Sequence, residues 1–175
     1  MTVMTILEIP HPGLREVAAP VAEITDATRT LIDDMFETMY DARGIGLAAT
    51  QVGVAQRVVV IDLQEPAEPE GEPVRDPRVF VNPELTWTSD ETSQYNEGCL
   101  SIPDQYAEVE RPARCRLTWR DRDGASHEGE FDGLMATCIQ HEIDHLNGVL
   151  FIDHISRLKR DMIVKKLNKA RKAAA

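Results

Sequence analysis

The sequence predicts an α+β fold, with small, mostly antiparallel sheets packed around one central helix and a further helix at the C-terminus. Three observations carry this reading. Short alternating or β-branched stretches recur around 57–62, 78–82, 106–110, 114–120 and 125–131, which is strand patterning. Leu134, Met135, Cys138, Ile139, Ile143 and Leu146 recur at helical spacing and give residues 134–146 a broad apolar side. A last helix, about 156–171, is strongly basic. At 175 residues the chain is long enough to bury a proper core and reads as one domain over 1–175.

Taken in order, Thr25 is the expected N-cap of a first helix reaching about Arg43, with Leu31, Met35 and Met39 facing inward. Gly44 to Gly53 follows, and then the strand Arg57–Asp62. The segment Glu65–Pro77 is an acidic, proline-rich loop. In Arg114–Arg120 the residues Cys115, Leu117 and Trp119 share one face of an alternating strand, so Cys115 belongs to the core. That strand joins 125–131 in a hairpin across Asp123-Gly124. Gly133 precedes the central helix and Asn147-Gly148 is its stop.

The central helix holds the most informative stretch, Gln140-His141-Glu142-Ile143-Asp144-His145. His141 and His145 are four residues apart, so both imidazoles project from one helix face, one turn apart. Glu142 lies beside that face, within reach of a proton on a metal-bound water. The H-E-x-x-H pattern is the signature of metal-assisted hydrolysis. Polar helices also produce it by chance, with both histidines merely solvated. Here the apolar surroundings matter, because ionisable groups on a buried helix must be paired or bind metal. Asp144 points in a different direction from the histidines and is not expected as a ligand.

The third ligand is not downstream. Phe151 stands where one protease group carries a histidine, no acidic residue follows Asp161, and His154 fits neither known spacing. Cys138 and His145 would lie about 10 Å apart along the axis, at about 1.5 Å per residue, too far to share an ion. Cys138 therefore reads as pocket wall. Upstream, Cys99 sits in Glu97-Gly98-Cys99-Leu100-Ser101, away from any amphipathic helix. From these residues alone two readings stand, a metal thiolate and a small buried hydrophobe. In Gly44-Ile45-Gly46-Leu47-Ala48-Ala49-Thr50-Gln51, two glycines around Ile45 permit close backbone approach, and Gln51 offers an uncharged donor. Gly44 also suits a helix C-cap.

These three segments, GIGLAATQ (44–51), EGCLS (97–101) and QHEIDH (140–145), occur in the order found in the peptide deformylases, which the chain resembles over most of residues 5–170. The opening Ile9–Arg15 and the helix Asp34–Tyr40 are similar too. The loop 65–77 departs from the family by its length. The resemblance implies removal of the formyl group from the N-terminal formyl-methionine of nascent polypeptides, with release of formate. It implies one divalent metal ion on Cys99, His141 and His145: Fe(II) in cells, with Zn, Ni or Co also suited to one thiolate and two imidazoles. Glu142 is then the general acid–base group, and Gln51 and the Leu100 N–H stabilise the oxyanion. Substrate contacts are expected from Gly44, Ile45, Gly46, Glu97, Gly98, Leu134 and Cys138, with Gly46 in the segment that pairs with an extended peptide. The family also implies an Arg111–Asp144 pair.

Charge is lopsided. Residues 157–172 carry eight lysines and arginines against Asp161, a net +7, within a chain of net −11. A solvated helix face accounts for this, as does an anionic partner. The family implies docking near the ribosomal exit tunnel, and removal of 157–175 is expected to weaken that docking while sparing turnover. Three cysteines do not suggest a disulfide framework, and no secretory signal or membrane-length apolar run is visible. A cytoplasmic location follows as an expectation, with neither membrane nor DNA as partner. Two competitors remain: a metalloprotease on the same helix, and a non-catalytic metal-binding, ribosome-associated protein. The second would call for a closed site with four protein ligands.

Overall fold

The computed structural model describes residues 1–175. Three helices, α1 (Asp26–Asp41), α2 (Gly133–Leu146) and α3 (Arg157–Ala174), surround two antiparallel sheets. The larger sheet has the order β1-β2-β3-β6-β7, from strands Gly46–Ala48, Val58–Ile61, Arg78–Thr88, Cys115–Arg120 and Ser126–Phe131. The smaller one pairs β4 (Thr92–Cys99) with β5 (Ile102–Pro112).

The apolar run Val58-Val59-Val60-Ile61 is buried on both faces because β2 lies between two helices. Val58 and Val60 pack with Ile32, Met35 and Met39 of α1, while Val59 and Ile61 pack with Ile139 and Ile143 of α2. The period-2 alternation of the strand thus divides its side chains between α1 and α2. Truncating one of the packed isoleucines or methionines to alanine costs about 2–5 kcal/mol. A third core joins Leu14, Ile102, Val109, Phe151 and Ile152 to Ile163 and Leu167 of α3.

Local signals explain the helix ends. Thr25 and Thr28 form a reciprocal cap at the start of α1. At the end of α2, Asn147 is the C-cap and Gly148 takes φ +73°, where a Cβ would lie 2.6 Å from the Arg15 carbonyl oxygen, so only glycine fits.

Several boundaries differ from the sequence expectation. β3 continues to Thr88 beyond the expected 82, because a register shift between Val81 and Glu84 absorbs Asn82-Pro83 without ending the strand. β5 spans Ile102–Pro112 where 106–110 was expected, and β4 and β1 were not foreseen. Leu31 is only partly buried; Ile32 takes its place in the core.

Candidate metal centre and cleft

α2 carries His141 and His145 on the face turned toward the end of β4. Their Nε2 atoms are 3.2 Å apart, and the Cys99 Sγ lies 3.3 Å from His145 Nε2. All three ligand atoms fall within 4.8 Å of one another. For metal bonds of about 2.0–2.3 Å, a tetrahedral ion separates its ligands by about 3.3–3.6 Å, close to the two measured edges. Cys99 reaches this position because the β4–β5 ladder shifts register between Gly98 and Cys99, pairing Cys99 with Ile102.

The second neighbours of the triangle set its protonation. Glu97 lies 2.8 Å from His141 Nδ1 and accepts from it, which turns the His141 Nε2 toward Cys99 and His145. Glu97 also takes two hydrogen bonds from Arg111, at 2.7 and 2.9 Å, with both side chains 5% exposed. Arg111 donates again to Asp144, 2.8 Å away, and Asp144 accepts from His154. Burial opposes ionisation of Glu97, but the hydrogen bonds from His141 and Arg111 outweigh it and hold its pKa below the ordinary value.

The imidazoles respond differently. Burial lowers the His141 pKa, yet Cys99, Glu97 and Glu142 together overcome it and bring the group to about 10. His145 is driven well below the ordinary value, first by burial and then by the positive charge of His141. Burial and the neighbouring groups thus admit one positive charge in the pocket, at His141, and disfavour a second at His145. The donor set present suits a divalent cation.

Glu142 stands beside the triangle, 5% exposed, with Oε2 free of any protein partner. Burial raises its pKa to about 7, partly offset by His141 and Arg111. A carboxyl balanced near neutrality can accept and return a proton. Gln51 is 1% exposed; its Oε1 accepts from Ala48 N, and its Nε2 points to Ser101 Oγ at 3.1 Å and Cys99 Sγ at 3.5 Å. The Leu100 N–H, in the turn after β4, donates to no protein acceptor.

These groups open into a cleft of about 660 Å³ whose walls include Gly44, Ile45, Gly46, Gly98, Leu134 and Cys138. One wall is β1, the edge strand of the larger sheet. Ile45 already gives its carbonyl to Asp62 N, so by strand alternation the backbone groups of Gly46 face the cleft. Residues 44–46 also pack closely against Glu142 and Leu100. A Cβ on Gly46 would lie 2.7 Å from Glu142 Oε1, and one on Gly44 would lie 2.7 Å from Leu100 Cδ1. Glu97 also lines the cleft, with its carboxylate held by His141 and Arg111, because buried charge requires such partners. His154 pairs with Asp144 and stands outside the metal triangle. Tyr106, Thr137 and Asp104 also line the cleft, and no pattern in the sequence marked them. A larger groove of about 810 Å³ runs along α3, away from the triangle.

The polypeptide deformylase family model matches residues 3–161. Peptide deformylase of Rhizorhabdus wittichii is 63% identical over 173 residues, covering 99% of this chain and 98% of that protein. Peptide deformylase of Zymomonas mobilis is 61% identical over 172 residues, with 98% and 97% coverage. Among solved structures, the peptide deformylase from Legionella pneumophila superposes with a TM-score of 0.89 at 42% identity, covering 99% of this chain and 98% of its own. The enzyme from Ehrlichia chaffeensis in complex with actinonin gives 0.89 at 38% identity, with 97% and 98% coverage.

Proposed function

Since the chain belongs to the polypeptide deformylase family, whose reaction removes the N-formyl group from nascent peptides, we propose that Cys99, His141 and His145 hold the one divalent metal ion this hydrolysis needs. The observation that carries the reading is the convergence of those three ligand atoms within 4.8 Å, beside a buried carboxyl with a free oxygen. One thiolate and two imidazoles suit Fe(II), Zn, Ni or Co, and Fe(II) is the ion proposed in cells. When bound, the ion supplies Lewis acidity and an activated water.

The remaining roles fall to the chain's own groups. Glu142 takes the proton of the attacking water and delivers it to the departing amine. The Gln51 amide and the Leu100 N–H donate to the formyl oxygen as it gains charge; donors so placed are worth about 3 kcal/mol each. Glu97 keeps His141 in the Nδ1–H tautomer, and Arg111 keeps Glu97 ionised. The substrate backbone adds to β1 at Gly46, and Ile45, Leu134 and Cys138 form the slot for an unbranched methionine side chain. A formyl group is the smallest acyl group, so close walls exclude acetyl; equal rates on formyl- and acetyl-peptides would refute that step. The basic face of α3 serves docking at the ribosomal exit, in the cytoplasm.

The test is chemical. Protein loaded anaerobically with Fe(II) should bind one ion per chain and release formate from a formyl-Met tripeptide, leaving unformylated internal bonds intact. Cleavage of internal bonds without formate would make the site a protease. Binding of the ion with Cys99→Ser unaltered would remove Cys99 from the ligand set.

A further inference from the structure

The acidic loop that follows β2 is exposed from Glu65 through Arg78, yet both of its ends are fastened to one buried carboxylate. Asp62, 0% exposed, accepts through Oδ1 from Gln64 N at 3.0 Å and from Asp76 N at 3.1 Å. Its Oδ2 accepts from the Tyr40 hydroxyl, and the Arg75 guanidinium lies 4.1 Å over the Tyr40 ring. Between these fastenings Gln64 takes φ +53°, a left-handed conformation unfavourable for a residue with a Cβ. That turn brings its side chain back to the cleft: Gln64 Nε2 donates to the Gly44 carbonyl at 3.2 Å.

Gly44 is a sensitive place to hold. Its N–H is taken by the Met39 carbonyl at the end of α1, so Gln64 supplies the grip on the opposite group of the same residue. The Gly44 Cα rests on the Leu100 side chain, and two residues later Gly46 rests on Glu142. A shift of this lip would press on the Leu100 side chain at Gly44 and on the Glu142 carboxyl at Gly46, since neither position has room even for a Cβ. The strain at Gln64 persists because Asp62 over-determines it.

We propose that Gln64 is a positioning residue of the deformylation reaction, acting through the Gly44 carbonyl to keep the lip of the cleft against Leu100 and Glu142. The inference rests on the function proposed above. It gives the loop a role in the reaction although none of residues 65–76 reaches the metal triangle.

Gln64→Glu preserves size and shape but presents a carboxylate oxygen to a carbonyl, so the grip is lost. Gln64→Lys retains a donor. In the metal-loaded full-length chain, Gln64→Glu should lower kcat on a formyl-Met tripeptide about 5–10-fold with KM within about twofold, because the displaced groups act on the transition state. Metal content and Tm should stay near the parent values. Gln64→Lys should recover at least half of kcat. Amide hydrogen exchange at residues 44–46 should accelerate in Gln64→Glu and return toward the parent rate in Gln64→Lys. Parent-like kcat and exchange in Gln64→Glu would overturn the proposal, as would equal losses in both variants, which would implicate loop conformation in place of the hydrogen bond. A parent inert on formyl-peptides would defeat the deformylase reading instead, while exchange would still decide whether Gln64 holds the lip.

Discussion

Replacing Arg111 with leucine should be among the most damaging single changes outside Cys99, His141 and His145. The guanidinium is 5% exposed and makes three charge-assisted hydrogen bonds, two to Glu97 and one to Asp144. Asp144 is 24% exposed and keeps His154 as a partner, so most of the penalty falls on Glu97. Removing one member of a buried ion pair costs about 3–5 kcal/mol, because the other is left as an uncompensated charge. At about 2–4 °C per kcal/mol for a chain of this size, Tm should fall by about 6–20 °C. Urea unfolding at pH 7 and fixed free metal isolates this from altered metal binding, which contributes its own stabilisation. The pH dependence carries a sign. In the parent, Glu97 has a folded pKa below its ordinary value of 4.5, so its contribution is present above about pH 4.5 and lost as pH falls through the folded pKa. Without Arg111, burial is opposed by His141 alone and the Glu97 pKa rises. Protonation then relieves the variant, and its deficit should be smaller at pH 5 than at pH 7. A loss below about 1 kcal/mol at pH 7, the range of exposed pairs, would refute the reasoning.

Gly46→Ala should cut kcat/KM at least about 100-fold, since the new methyl would stand 2.7 Å from Glu142 Oε1; steady-state kinetics checks this, and a parent-like rate would mean that β1 yields freely. Burial raises the thiol pKa of Cys115 to about 11 and of Cys138 to about 12. Iodoacetamide at pH 8 should therefore label one cysteine in metal-free native protein, Cys99, none when metal is bound and three on unfolding, as read by mass spectrometry. Truncating α3 is a poorer test of docking than the sequence suggests, because Ile163 and Leu167 are 7% and 4% exposed and belong to a core. Exchanging Lys165, Lys166, Lys169 and Lys172 for glutamine should instead weaken ribosome binding in a salt-dependent way in a sedimentation assay, with turnover of short peptides unchanged.

The helix and the shared face of His141 and His145 were legible because an i, i+4 spacing fixes a common face whatever the surroundings. The continuous run Val58–Ile61 and the hairpin around Gly124 were legible for the same local reason. Cys99 needed the family pattern, since a register shift in β4 aims its sulfur and no short-range signal encodes that. β4 escaped notice because Thr92-Ser93-Gln94-Tyr95-Asn96-Glu97 alternates in exposure with hardly an apolar residue to show it. With β4 unseen, the approach of Arg111 to Glu97 could not be read. α3 looked like a docking helix because its charge dominates its composition; its two buried residues are spaced four apart, too sparse to stand out. Gln64 was invisible, since its role depends on a left-handed backbone angle and on a carbonyl twenty positions earlier.

No helix is long and apolar enough to cross a membrane. The central claim concerns one carboxyl beside one metal triangle, and Glu142→Gln tests it most directly. The substitution keeps the side chain's size and removes its capacity to take a proton. With metal content verified as one ion per chain in both proteins, formate release from a formyl-Met tripeptide should fall about 10²–10⁴-fold. Release within tenfold of the parent at full metal occupancy would contradict the assignment of Glu142 and require another group to carry the proton.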